Sequence, residues 1–454
     1  MARSTPQLQN LSLPLLLESL AREMILIPDK AKKRVDRAFI KVNDRLSTFL
    51  TRNGSKMALV QYSLLVLVCA LTACTNTAET TRHSSHRNQV ISSTAYGSHT
   101  IASSNLSLKQ TEKNNSNHFF ENSATGSKGY INNVLARPKQ SFTFTLQVPN
   151  QPSLYGNTSN RTIPFAGLII YPTTKTNKNK NYSLPNKLKL PRMDRINEPP
   201  LLPTNQKFPL LVLSHGLASH PSDYFELELA KFFASHGFIV LSLFHGDNRF
   251  PGLLDHPENK LEQFAMRPLA IKKALDTLLS DSQFSEHINQ EQIGGIGVSF
   301  GGATLFALSG GKVSGWKKEP TINTEQDSRI KASVGISPFF GSRYIPMFGT
   351  NGQGGSYLKQ PYMAISGTSD SVALWKRSVN VISKAAEQQD AFLIGMEKAQ
   401  HSLKEGEAND ARTWALLFLK SYLLSSTKDQ KTLSRLRYAR GSGKDFMAIE
   451  PAQD

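Results

Sequence analysis

Gly297-Val-Ser-Phe-Gly301 sets one serine between two glycines in a G-x-S-x-G string. A serine hydroxyl is a poor nucleophile at neutral pH unless a base is held against it, so the string matters only in the right setting. Here an apolar run, Ile293 to Val298, leads straight into it, and the small residues Gly302, Ala303 and Thr304 lead out. Strand, sharp turn, then helix is the setting of a nucleophile elbow, in which small flanking residues let the chain double back and lift the serine above a sheet. Ser299 would then cap a helix whose N-terminal dipole favours negative charge developing beside it. The chemistry this points to is acyl transfer through a covalent intermediate.

Such a serine needs an acid and a histidine further along the chain, in that order. His401 is the sole histidine C-terminal to Ser299, and it falls in the loop after a predicted strand, Ala391 to Gly395. Asp370 follows the predicted strand Tyr362 to Ser366. Asp390 precedes its strand and Glu397 sits too close to the histidine, so both are worse placed. Two backbone amides must also face the oxyanion of a tetrahedral intermediate. The Phe300 amide, next after the nucleophile, is one candidate. The Leu217 amide is the other, in the Ser214-His215-Gly216-Leu217 loop where Gly216 permits close approach. His215 reads as a structural hydrogen-bonding residue. Phe244, Phe250, Leu253, Leu254, Phe339, Phe340, Tyr344 and Phe348 follow strands and are candidates for an apolar acyl wall.

These groups can meet only if the chain alternates strands and helices so that their loops share one sheet edge. It does so from residue 141 onward. Phe142 to Leu146 alternates, and Ile163 to Tyr171 is rich in strand formers. A Lys-, Asn- and Pro-rich stretch over 173–207 reads as a surface insertion. After it, Leu210 to Ser214 is almost wholly apolar, as expected of a strand buried on both faces of a parallel sheet. Strands over Phe238 to Leu243, Ile293 to Val298 and Ile330 to Ile336 follow. They alternate with helices near 222–235, 258–280, 302–308, 373–388 and 410–424. The expected class is α/β, a mainly parallel central sheet with helices on both faces.

Upstream, the sequence reads as an address. Residues 1–56 form an extension longer than an ordinary basic leader; translation is expected to begin at Met24 or Met57, leaving the extension out of the mature protein. Residues 57–73 form an apolar core behind the basic Arg52 and Lys56 and lead into Leu71-Thr72-Ala73-Cys74, which resembles a bacterial lipobox. Cys74 is the expected lipidation site, which would export the protein and hold it on a membrane of the cell envelope. Residues 74–140, rich in Ser, Thr and Asn, read as a disordered polar tether, residues 141–425 as the catalytic body, and 426–454 as a tail.

Composition excludes other classes. The net charge of +18 lies almost wholly in the first half of the chain: residues 208–454 hold 26 basic against 25 acidic side chains. A nucleic-acid partner is therefore not expected. Cys69 and Cys74 are the only cysteines, too few for a disulfide framework or a cysteine zinc site, and His83, His86, His99 and His118 lack ligand spacing. No metal and no cofactor are expected.

Leu211-Val-Leu-Ser-His-Gly216, Asp223-Tyr224, Phe233-Ala-Ser-His-Gly-Phe-Ile-Val240 and Gly297-Val-Ser-Phe-Gly-Gly-Ala303 together resemble the dienelactone-hydrolase group and the platelet-activating factor acetylhydrolases, within the α/β-hydrolase fold. The resemblance runs over about 141–425. It implies a Ser299, Asp370, His401 triad with Leu217 and Phe300 as oxyanion donors. The implied substrate is a small-molecule or lipid ester, with short acyl chains or an acetylated phospholipid as the group cleaved. The chain departs from both groups. Dienelactone hydrolases carry a cysteine where Ser299 stands, and the acetylhydrolases place their acid one strand earlier, where Gly335-Ile-Ser-Pro-Phe339 has no carboxylate. A cell-envelope amidase or peptidase with the same triad, or a non-catalytic binding protein on the same scaffold, are the alternative readings.

Overall fold

In the computed structural model, which describes residues 89–105, 143–183, 187–194, 199–246, 257–313, 326–342, 345, 347–441 and 444–451, the apolar runs become the middle of a ten-stranded sheet. The N-terminal strands are β1 (Gln89–Ser92), β2 (Ile101–Asn105), β3 (Thr143–Gln147) and β4 (Thr162–Pro172), followed by the small hairpin β5 (Tyr182–Ser183) and β6 (Lys189–Leu190). Then come β7 (Phe208–Ser214), α1 (Tyr224–Ser235), β8 (Ile239–Phe244), α2 (Pro257–Ser280), β9 (Ile288–Val298) and α3 (Phe300–Leu308). The chain continues through β10 (Ile330–Ile336), β11 (Tyr362–Gly367), α4 (Trp375–Ala386), β12 (Ala391–Met396) and α5 (Glu405–Leu423). It closes with α6 (Thr427–Arg435), β13 (Leu436–Arg440) and β14 (Asp445–Ile449).

The sheet runs β14-β12-β11-β10-β9-β7-β8-β4-β2, with β3 paired to the first half of β4. From β12 to β8 every pairing is parallel; β14, β4, β2 and β3 join antiparallel. Every residue of β7, β8, β11 and β12 is buried, which is why these strands are almost wholly apolar instead of alternating. One core lies under α2, α3 and α4, with Ala274, Leu305 and Val381 in it. The other lies under α1 and α5, with Leu227 and Trp414. Helices therefore cover both faces, and the loops after β7, β9, β11 and β12 emerge at the same carboxyl edge. Among the described residues no helix is long and apolar enough to cross a membrane.

Two boundaries read from the sequence are corrected. Residues 74–140 are not a tether throughout, because 89–105 belong to the folded body. There β2 pairs antiparallel with β4 and β1 lies parallel to β13. Between them the chain is tied to helices far along the sequence: the Thr94 amide donates to Thr413 Oγ1 (2.8 Å) and the Gly97 amide to Ser235 Oγ (2.7 Å). Ser103 is fully buried yet satisfied, its hydroxyl donating to the Pro191 carbonyl at 2.7 Å. Polar residues whose partners lie so far away leave no local periodicity. Within the 426–454 tail, residues 426–441 and 444–451 also belong to the folded body. β14 extends the sheet beyond β12, and the buried Trp414 indole N–H donates to the Asp445 carboxylate. The 173–207 insertion also buries part of itself, with Leu190 and Leu202 in the two cores and Tyr171 donating to Asp194 Oδ1 at 2.6 Å. The extension 1–56, the signal segment 57–73 and Cys74 lie outside the described residues.

Candidate active site

Ser299 leaves the end of β9 in a conformation that a side chain rarely adopts, with φ 50° and ψ −113°. It is held there from both sides: its amide donates to the Ile336 carbonyl (2.8 Å), and its carbonyl accepts from the Phe339 amide (3.0 Å). The flanking glycines are steric requirements. A Cβ on Gly297 would lie 2.4 Å from the Gly301 carbonyl carbon, and one on Gly301 would lie 1.9 Å from the Ser214 carbonyl oxygen. No rotamer relieves backbone contacts that short, so only glycines let α3 fold back against β9 and the end of β7.

The structure brings Ser299, His401 and Asp370 together. His401 Nε2 lies 3.0 Å from Ser299 Oγ, and His401 Nδ1 lies 2.8 Å from Asp370 Oδ2. A carboxylate can only accept, so the proton belongs on Nδ1 and the Nε2 lone pair is left facing the serine hydroxyl. The Asp370 carboxylate is fully buried, whereas the imidazole is 25% exposed at the cavity side. Its other oxygen, Oδ1, accepts from the Val372 and Ala373 amides, each at 2.8 Å. Ser337 steadies the histidine from behind by donating to the His401 carbonyl at 3.1 Å. Asp390 is elsewhere, accepting from the Tyr422 hydroxyl at 3.0 Å, and Glu397 faces Lys398 and Lys444 at the surface.

Leu217 and Phe300 both line the cavity beside Ser299, and among the described residues neither amide donates to a protein acceptor. His215 is a structural residue here. Its Nδ1 donates to the Gly216 carbonyl (2.7 Å) and its Nε2 accepts from the His245 amide (3.2 Å).

A cavity of about 890 Å³ opens over the serine, bounded by α1, the loop after β10 and the segment after His401. Phe339 faces it as the strand-end aromatics suggested. Phe244, Phe340 and Phe348 do not: they are buried in the two cores. Phe250, Leu253, Leu254 and Tyr344 lie outside the described residues. The rest of the wall comes from residues that sequence reasoning did not single out, including Leu229, Ile345, Met347 and Leu403. Glu226 was also missed. Its side chain is buried at the cavity wall, accepts from the Ser219 hydroxyl (2.8 Å), and has its carboxyl pushed up by burial. Its only sequence signal is that it lies on the apolar face of α1. Among the described residues no group of three His, Cys, Asp or Glu is placed to hold a metal.

Residues 176–250 match the family model of platelet-activating factor acetylhydrolase, isoform II. That stretch carries the insertion, β7, the Ser214–Leu217 loop, α1 and β8, and stops before the serine, acid and histidine. None of the curated proteins compared matches the chain. Over residues 176–250 the chain is similar to this acetylhydrolase family, and its mainly parallel sheet under helices on both faces is the α/β layering such a resemblance implies.

Proposed function

We propose that the protein is a serine esterase in which Ser299, His401 and Asp370 act as nucleophile, general base and orienting acid. The observation that carries this reading is the continuous pair of hydrogen bonds, Ser299 Oγ to His401 Nε2 and His401 Nδ1 to Asp370, at the floor of an open cavity. Ser299 attacks the ester carbonyl as His401 takes its proton, and Asp370 stabilises the imidazolium that results. The Leu217 and Phe300 amides receive the oxyanion. The alcohol leaves with a proton from His401, and a water deprotonated by the same ring then releases the acid.

The substrate class we propose is a short-chain acyl ester or an acetylated phospholipid, in keeping with the family match and the apolar wall of Leu229, Phe339, Ile345, Met347 and Leu403. A fluorophosphonate probe should label Ser299, and nitrophenyl esters of two to eight carbons should be cleaved faster than the matching anilides. Preference for the anilides would shift the reading to an amidase. Absence of labelling together with absence of any hydrolysis would leave only a binding scaffold. We propose further that Cys74 carries a lipid that holds the enzyme on a membrane of the cell envelope. The mass of protein extracted from cells should then fit a chain beginning at a diacylglyceryl-modified Cys74, and a mass that retains residues 57–73 would overturn this.

A further inference from the structure

We propose that Arg267 is a positioning residue that aims the Leu217 amide at the oxyanion, a role that rests on the serine-esterase reading above. Arg267 lies on α2 and is 1% exposed, far from the solvent that a surface arginine would face. Its Nη1 donates to the His215 carbonyl at 2.6 Å and its Nη2 to the Gly216 carbonyl at 3.1 Å. Its guanidinium carbon also sits 4.9 Å from the centre of the Phe300 ring. One buried side chain thus touches the Phe300 ring and the carbonyl of the Gly216–Leu217 peptide, whose N–H would be the other oxyanion donor.

The direction of the Leu217 N–H follows from the peptide plane. The Gly216 carbonyl and the Leu217 amide belong to one trans peptide, and across such a plane C=O and N–H point opposite ways. Whatever grips the carbonyl on the α2 side turns the N–H away from α2. Gly216 itself is close against the nucleophile, with a Cβ built on it only 3.7 Å from Ser299 Cβ. The grip is shared by Arg267, by His215 Nδ1 at 2.7 Å and by the Ser219 amide at 3.3 Å. The last of these closes a tight turn whose third residue, Ala218, takes φ 62° without being glycine. Strain of this kind persists only where the surroundings over-determine the turn, and Arg267 and His215 supply two of the donors on its first carbonyl. The planar fork of a guanidinium reaches two successive carbonyls at once, which a lysine ammonium does not reproduce.

The test compares wild type with Arg267→Lys and Arg267→Ala, each counted per active site by fluorophosphonate titration to completion, so that misfolded protein drops out. Losing an oxyanion donor outright costs about 10²–10³ in kcat, so misaiming one should cost about ten- to a hundredfold. We expect that loss in kcat with KM for a nitrophenyl ester nearly unchanged. Affinity for a trifluoromethyl ketone, which forms the tetrahedral oxyanion, should fall by the same factor. Millimolar guanidinium should restore part of the Arg267→Ala rate by refilling the cavity. If Arg267→Ala does not fold, Arg267→Lys decides, because it keeps the charge and loses the fork. Unchanged kcat per active site with only a lowered Tm would make Arg267 purely structural and overturn the proposal. Equal loss in KM and ketone affinity would also overturn it, as general distortion of the cavity. Failure of the esterase reading itself would look different: wild type would then give no titratable Ser299.

Discussion

Ser299→Ala should lower ester turnover by about 10⁶-fold, the scale of loss when the nucleophile of such a triad is removed. The substitution takes away one oxygen and little else. Alanine keeps the Cβ, so the chain at φ 50° carries no new strain, and the glycines that allow the turn are untouched. The lost contact is a single part-buried hydrogen bond to His401, worth about 1 kcal/mol or less in stability. Thermal unfolding should therefore barely move while turnover collapses and fluorophosphonate labelling vanishes. Binding should persist, because the cavity wall and the Leu217 and Phe300 amides remain, and the residual rate should still exceed that in water by about 10³–10⁴. Turnover near the wild-type value would remove Ser299 from the mechanism altogether.

That prediction could be made from the residues because the elbow is local. Strand, serine and helix are contiguous, and the reason for each glycine lies within the same few residues or in the strand beside them. Asp370 and His401 were reachable for a related reason: each follows an apolar run that can only be an interior strand, and strand ends of a parallel sheet share an edge. Where the decisive partner is remote and polar, the sequence is silent. β2 contains Ala102, Ser103 and Ser104, which look like linker until β4 and the Pro191 carbonyl satisfy them. Arg267 lies in α2 among apolar neighbours, and nothing local marks it, because its partners are two backbone carbonyls more than fifty positions earlier. Strand-end aromatics gave a mixed outcome for the same reason. Phe339 reaches the cavity while Phe340 packs edge-on against Phe306, and adjacent residues of one loop can part company only once the surrounding elements are in place.

Under the esterase reading, hydrogen-bond direction at Asp370 matters as much as its charge. Asp370→Asn should lower turnover by about 10⁴-fold, although it keeps the size and shape of the side chain. The reason is that Asp370 Oδ1 is committed to two donors, the Val372 and Ala373 amides. In the variant, the amide oxygen must stay in that position, because an NH₂ there would face two N–H groups. The NH₂ is then forced toward His401 Nδ1, which must become an acceptor and lose its proton to Nε2. An Nε2–H pointing at Ser299 Oγ can no longer take the hydroxyl proton, and the imidazolium that forms during attack loses its counter-charge. Asp390→Asn supplies the contrast. Among the described residues that carboxylate meets only the Tyr422 hydroxyl of the side chains, away from the cavity, and its replacement should change turnover by no more than about twofold, the behaviour of a substitution outside the site. Steady-state rates for the two variants, measured beside Glu397→Gln as a surface control, decide the assignment. If Asp390→Asn proved the severe change and Asp370→Asn the mild one, the orienting acid would not be Asp370, and the tautomer argument would fail with it.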